Sequence, residues 1–206
     1  MNFIQSIVAT VIKYLYGILG NWGLAIIGVT LLIKIILFPL TLKQDKSMKG
    51  MKKIQPEVDK IREKYKDNPQ ELNVKVMELY KEHKVNPLGG CLPVVLQLPI
   101  LWGLFGVLRK TGADALIPAN THFLIWNLTA NDPTYILPIL NGIVAFLQQK
   151  VMGQGGTGNK QMQMMTYTMP IFMVFISMSM PSGLQIYWVT SSLISFLQQY
   201  YIMKKE

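Results

Sequence analysis

Acidic residues are missing from every long apolar run of this sequence. The 206 residues hold 11 Asp and Glu against 20 Lys and Arg, and no acid falls in Trp22 to Leu42, Leu88 to Leu108, Tyr135 to Met152 or Met162 to Met203. Proton- and cation-coupled carriers need an intramembrane acid as relay or ion ligand, so that class is disfavoured. Histidine is scarce too, with only His83 and His122. There is no phosphate-cradling glycine loop, no paired-histidine motif and no nucleophile with a base beside it. Catalysis has no residues to stand on, so the chain reads as no enzyme, with no metal or other cofactor expected. The single cysteine, Cys91, excludes an internal disulfide and reads as packing within an apolar run. A small-residue cleavage pattern after a basic start is lacking, which argues against a secretory signal, and no N-terminal Cys offers a lipid attachment point.

What is present is hydrophobicity. Half of the residues are apolar and 15% are charged, too apolar for a soluble domain of this length. A spanning helix needs roughly 20 mostly apolar residues. Four windows qualify, and the last, at about twice that length, must turn once within itself. Met180-Pro181-Ser182-Gly183 supplies the break, since Pro and Gly end one helix and begin the next.

The expectation is an all-α integral membrane protein with spans at 21–42, 87–110, 134–152, 161–180 and 181–203. The remaining segments are an interfacial amphipathic helix at 1–20, a cytoplasmic helical hairpin at 43–86, an extracellular loop at 111–133, a cytoplasmic loop at 153–160 and a tail at 204–206. Ile4, Ile7, Val8, Val11, Leu15 and Ile18 recur at helical spacing in the first segment, while Gln5 and Lys13 interrupt it, hence interfacial rather than spanning.

Most lysines fall between Lys43 and Lys84, with Lys150, Lys160, Lys204 and Lys205 flanking later segments, which places the N-terminus outside and the C-terminus in the cytoplasm. Arg109 and Lys110, at the outer end of the second span, dissent from this pattern. In the hairpin, Met48, Met51, Ile54, Val58, Ile61 and Tyr65 share one helical stripe, and Leu72, Val76 and Leu79 another. Between them Asn68-Pro69-Gln70-Glu71 has the order of a helix start with a capping box. Lys49, Lys52 and Lys53 lie in a block with one acid, Asp45, and suit either a solvated face or contact with anionic headgroups or an acidic or ribosomal partner. No aromatics interleave with that block, so no direct nucleic-acid function is expected.

Lys34 is the residue that the composition does not explain. It lies within Leu31-Leu32-Ile33-Lys34-Ile35-Ile36-Leu37, roughly 18 Å of helix beyond Trp22. A lysine at the centre of a span costs about 2.5–3.5 kcal/mol to insert, less if its stem snorkels to the inner headgroups or it faces a wet cavity. Candidate polar neighbours recur at helical spacing: Asn141 and Gln148 on the third span, and Gln185, Trp188, Ser192, Ser195 and Gln199 on the fifth, with Gln97 on the second. They suit either a hydrophilic groove or interhelical hydrogen bonds that hold the bundle together. The fourth span is rich in methionine, and Met165, Met169 and Met173 form a candidate client-facing surface, because unbranched side chains repack against varied partners; core filling is the alternative. These residues alone leave a small anion channel or carrier, an assembly partner and an insertion factor all open.

The chain resembles the YidC family of membrane protein insertases over nearly its whole length. The resemblance rests on Asn21-Trp22-Gly23-Leu24-Ala25-Ile26-Ile27, Phe38-Pro39-Leu40-Thr41-Leu42-Lys43-Gln44, Met48-Lys49-Gly50-Met51, Asn86-Pro87-Leu88-Gly89-Gly90-Cys91-Leu92-Pro93, Tyr135-Ile136-Leu137-Pro138-Ile139 and Pro181-Ser182-Gly183-Leu184-Gln185-Ile186-Tyr187-Trp188, in order. It implies a multi-pass protein of the bacterial plasma membrane, a short form without a large extracytoplasmic domain. It also implies a positively charged hydrophilic groove, open to cytoplasm and lipid, that inserts newly made membrane proteins and helps them fold. Implied partners are those clients, the bilayer, the ribosome and the Sec translocation channel. Lys34 stands where that family commonly has arginine, and Ser191 and Ser192 stand near positions where it usually has asparagine.

Overall fold

The computed structural model describes residues 3–85, 92–109, 115–152 and 160–204. Cys91 and Asn86 to Gly90 lie outside them. The described chain is a helical bundle: α1 (Phe3–Leu19), α2 (Trp22–Lys64), α3 (Pro69–Glu82), α4 (Leu92–Leu108), α5 (Ile136–Met152), α6 (Lys160–Met178) and α7 (Ser182–Lys204). The expectation of helix alone omits one feature. Between α4 and α5 a short antiparallel pair, β1 (His122–Phe123) and β2 (Trp126–Asn127), folds the loop back on itself. Two residues per strand give no usable alternation of polarity, so hydropathy does not reveal such a pair.

Gly20, at a φ of +65°, ends α1, and its N–H donates to Tyr16 O. Asn21 then caps α2, its Oδ1 accepting from Leu24 N–H at 3.1 Å. The reversal is closed by Tyr16 and Trp22, whose rings stack with centroids 3.8 Å apart. Val8 and Ile12 on α1 are buried against α2 and α4. The contact is close because the facing residues are small: side chains of α1 lie over Gly28 of α2 and over Gly103 and Gly106 of α4. Phe3, Ile7 and Ile18 stay exposed on the far side, so α1 is seated on the bundle and still presents an apolar face outward.

α2 runs unbroken for 43 residues, about 64 Å of helix. The expected first span and the first helix of the hairpin are thus one rod, through Pro39 and Pro56. Between 43 and 64 the sequence changes in polarity without a cap or break, and the helical period carries on. Among the described residues Trp22–Met51 is the one helix long and apolar enough to cross a bilayer by length and composition; Phe3–Leu19, Gln97–Leu108 and Tyr167–Met178 are shorter apolar helices.

α3 folds back on the end of α2. Asn68 caps it, accepting from Glu71 N–H, and Asn68 Nδ2 donates in return to Glu71 Oε2 at 3.2 Å. The capping is reciprocal, though the cap's amide takes the place of its backbone N–H as donor. Ile54, Val58 and Leu79 form a small core with Ile61, Val76 and Tyr80 around it. Val85 lies against Gly50, where a larger residue would crowd it.

The main core joins Ala25, Ile26 and Val29 of α2 to Leu104, Val107 and Leu108 of α4 and Leu184 and Tyr187 of α7. Removing the Ile54 side chain by Ile54→Ala should cost about 2–5 kcal/mol of hairpin stability. Amide hydrogen exchange in α3 should accelerate accordingly while α4 and α7 keep their protection. Unchanged exchange in α3 would mean that the small core does not hold the hairpin.

Candidate functional site

α7 collects the polar contacts of the bundle. Lys34 Nζ donates to Ser195 Oγ at 2.6 Å, joining α2 to α7. Eight residues earlier on α7, Tyr187 Oη accepts from Gln97 Nε2 of α4 at 2.7 Å. Gln199, one turn beyond Ser195, donates through Nε2 to Asp45 Oδ1 of α2 at 3.2 Å. Asp45 is buried, and its Oδ2 has no partner among the described residues. Lys34 and Asp45 are eleven residues apart, three helical turns, so cation and anion occupy one face of α2 and both reach α7.

The expected polar set divides. Lys34 is half-buried and held by α7, as are Trp188 and Ser192 half-buried on that helix, and Gln148 on α5. Asn141 and Gln185 are enclosed, only 3% and 1% exposed. Asn141 Nδ2 donates to Ser177 Oγ of α6 at 3.4 Å, and Gln185 Nε2 donates to Met180 O at 2.9 Å. Gln97 and Asn141 thus bond from one helix to another, while Gln185 bonds the turn carbonyl just ahead of its own helix. Tyr187 and Ser177 are partners that hydropathy reading passes over. The clue to Tyr187 was its spacing, four and eight residues before Ser191 and Ser195 on one stripe of α7.

On α6, Met169 is exposed and Met173 half-buried, among exposed Tyr167, Ile171, Phe172 and Phe175; Met165 lies in α6 with its side chain outside the described set. The outward face of α6 is therefore aromatic and aliphatic as well as thioether. In the hairpin Lys53 is exposed and Lys49 half-buried, and the side chain of Lys52 lies outside the described set.

At the end of the bundle opposite the hairpin, the loop closes over α7. The first N–H groups of a helix lack partners within it. Here Ser182 N–H and Oγ–H both donate to Ala130 O, at 2.7 and 2.9 Å, and Gly183 N–H donates to Leu128 O at 3.0 Å. A Cβ at Gly183 would fall 2.9 Å from that same carbonyl oxygen, so glycine is required for the approach. Asp132 caps α5 in turn, accepting from Thr134 N–H and Oγ–H and from Leu137 N–H at 2.6–2.8 Å. Burial pushes its carboxyl up, but the hydrogen bonds from Thr134 and Leu137 outweigh that and hold it below the usual carboxylate range.

The 60Kd inner membrane protein family matches this chain over residues 14–206. A relative named membrane protein insertase YidC, from Fusobacterium nucleatum subsp. nucleatum, is 59% identical over 204 residues, covering 99% of this chain and 95% of its own. One of the same name from Francisella philomiragia subsp. philomiragia is 44% identical over 204 residues, yet the chain spans only 36% of its length. A crystal structure described as an active YidC insertase with its first transmembrane domain resolved superposes with a TM-score of 0.75 at 27% identity, over 98% of this chain and 47% of the other.

Because the Asp132 carboxyl titrates lower folded than unfolded, it stabilises the loop above the unfolded value, and that stabilisation is lost as pH falls through the folded one. Asp132→Asn should lower the thermal midpoint at pH 7. The gap to the unmodified protein should narrow as pH drops below about 4. A gap that stays constant down to pH 2 would mean that the carboxylate charge contributes nothing.

Proposed function

The chain belongs to the YidC family of membrane protein insertases, and on that premise we propose that it inserts newly made proteins into the bacterial plasma membrane as a multi-pass bundle whose charged centre is Lys34. In this reading α2, α4, α5, α6 and α7 cross the bilayer, with the hairpin in the cytoplasm and the β1–β2 loop outside. The basic hairpin and the loop lie at opposite ends of the bundle, in keeping with that orientation.

The observation that carries the mechanism is the Lys34–Ser195 pair. An ammonium has three donors, and Ser195 engages one at 2.6 Å. Two remain for a client. A carboxylate or polar group in a short outward-bound tail of the client accepts from them, so the tail crosses part of the apolar layer with a partner. The client's apolar helix leaves sideways into lipid past the outward face of α6, where Met169, Phe172 and Phe175 offer an adaptable surface. Burial of that helix drives the step at about 25 cal/mol per Å² of apolar surface, and no nucleotide is required. The membrane potential adds about 2.3 kcal/mol per charge per 100 mV for an acidic tail moving outward. The hairpin, with Lys49 and Lys53, receives clients from the ribosome or the Sec channel.

Proteoliposomes test this with a small single-span client that carries an acidic outer tail. Lys34→Ala and Lys34→Glu should reduce insertion at least tenfold, about the effect of losing one charge-assisted hydrogen bond, while Lys34→Arg retains it. Equal insertion by all three variants would remove Lys34 from the mechanism. Solute flux without any client, and no insertion, would point instead to an anion channel.

A further inference from the structure

At the loop end of the bundle, away from Lys34, lies a cavity of about 380 Å³. It opens between the end of α4, the turn from α6 to α7 and the loop that carries β1 and β2. Its polar wall includes Arg109, Asn131 and Ser179, and its apolar wall Phe105, Leu108 and Ile117. Among the described residues that line it there is no acid. A guanidinium, an amide and a hydroxyl can all donate hydrogen bonds, so the set suits an anion with several acceptor oxygens. The Arg109 guanidinium stands 4.9 Å from the centroid of the Phe105 ring, which holds it at the cavity.

Below the cavity the same face of α4 continues as an apolar strip. Leu98, Trp102, Phe105 and Arg109 follow at intervals of four, three and four residues, and Trp102 is 69% exposed. An anion site at the head of an exposed apolar strip matches a ligand with a charged head and a hydrocarbon tail. Arg109, with its neighbour Lys110, also departs from the charge distribution of most of the chain, whose basic residues cluster in and around the hairpin. A cation that merely complements the end of α4 would need no cavity beside it.

We propose that this cavity binds the phosphate of an anionic phospholipid of the outer leaflet, with Arg109 pairing with the phosphodiester, Asn131 and Ser179 donating to its oxygens, and an acyl chain lying along Phe105, Trp102 and Leu98. The inference rests on the membrane orientation given above and not on insertion activity.

The test is native mass spectrometry of the full chain released from micelles holding equal amounts of phosphatidylglycerol and phosphatidylcholine. The unmodified protein should retain one tightly held phosphatidylglycerol. Arg109→Gln should reduce that species about tenfold, the scale of one charge-assisted hydrogen bond, and Arg109→Lys should reduce it less. Ser179→Ala, which leaves the guanidinium in place, should reduce the species to a smaller degree. Lys53→Gln on the hairpin should leave the species unchanged. Undiminished retention in Arg109→Gln with a lowered thermal midpoint would overturn the proposal and leave Arg109 as a helix-end cation. Displacement by millimolar inorganic phosphate would assign the cavity to a free anion, and displacement by an acidic client-tail peptide to the client; either overturns the lipid reading. Lipid retention without insertion would sink the insertase reading alone, and insertion without lipid retention would sink this one alone.

Discussion

A helix that carries many polar side chains into the interior of a bundle gains most by finding partners for them, since an unsatisfied buried group costs about 1–3 kcal/mol. α7 is that helix, although Gln185 Oε1 and Gln198 Oε1 on it stay without a partner among the described residues. Its first amides are taken by the carbonyls of Leu128 and Ala130, its Tyr187 by Gln97, its Ser195 by Lys34 and its Gln199 by Asp45. The partners come from three parts of the chain, and together they fix where α2, α4 and the loop can stand. Apolar packing of Leu184 and Tyr187 fills the space between but does not choose a register as strictly, because it is non-directional. Gly183 is the geometric counterpart of the same demand, the one position where the loop carbonyl must come within contact distance of the helix start.

The length of α2 gives this arrangement a mechanical consequence. One continuous helix carries Asn21 at its loop end, Lys34 in its apolar part, Asp45 where polarity begins and the Ile54–Val58 seat of α3 at its far end. In the proposed mechanism a client on the hairpin acts on the same rod that positions the ammonium. Asp45 lies between them, tied to α7 by one oxygen and unpaired at the other.

Local chemistry was legible in the sequence and long-range pairing was not. The α3 start follows from Asn68, Pro69 and Glu71 alone, because a cap is decided within four residues. The Met180 to Gly183 break and the prominence of Lys34 are equally local. That Ser195 rather than Ser192 receives Lys34 depends on how α2 and α7 cross, and both serines lie on the stripe that spacing identifies. Gln97, Asn141 and Gln185 were visible as polar positions, yet their pairing with Tyr187, Ser177 and Met180 O depends on how the helices and the turn before α7 come together. The end of the first span at Leu42 was read from hydropathy, which records a change of solvent and not a change of backbone; α2 crosses it because nothing there stops a helix.

Lysine at 34 also has a physical rationale of its own. A guanidinium presents five donors in a rigid plane and matches a carboxylate in two-point fashion, whereas an ammonium is a compact charge on a flexible stem. With Ser195 engaging one donor, the remaining two can turn toward groups that arrive at different angles and depths. In the proposed mechanism, client tails that share acidity but not sequence require that tolerance. The cost is weaker grip on any one carboxylate, and a transient partner that must be released after each insertion gains from weak grip. On that proposal Lys34 suits passage better than storage, and the serine beside it keeps the ammonium partly satisfied between clients.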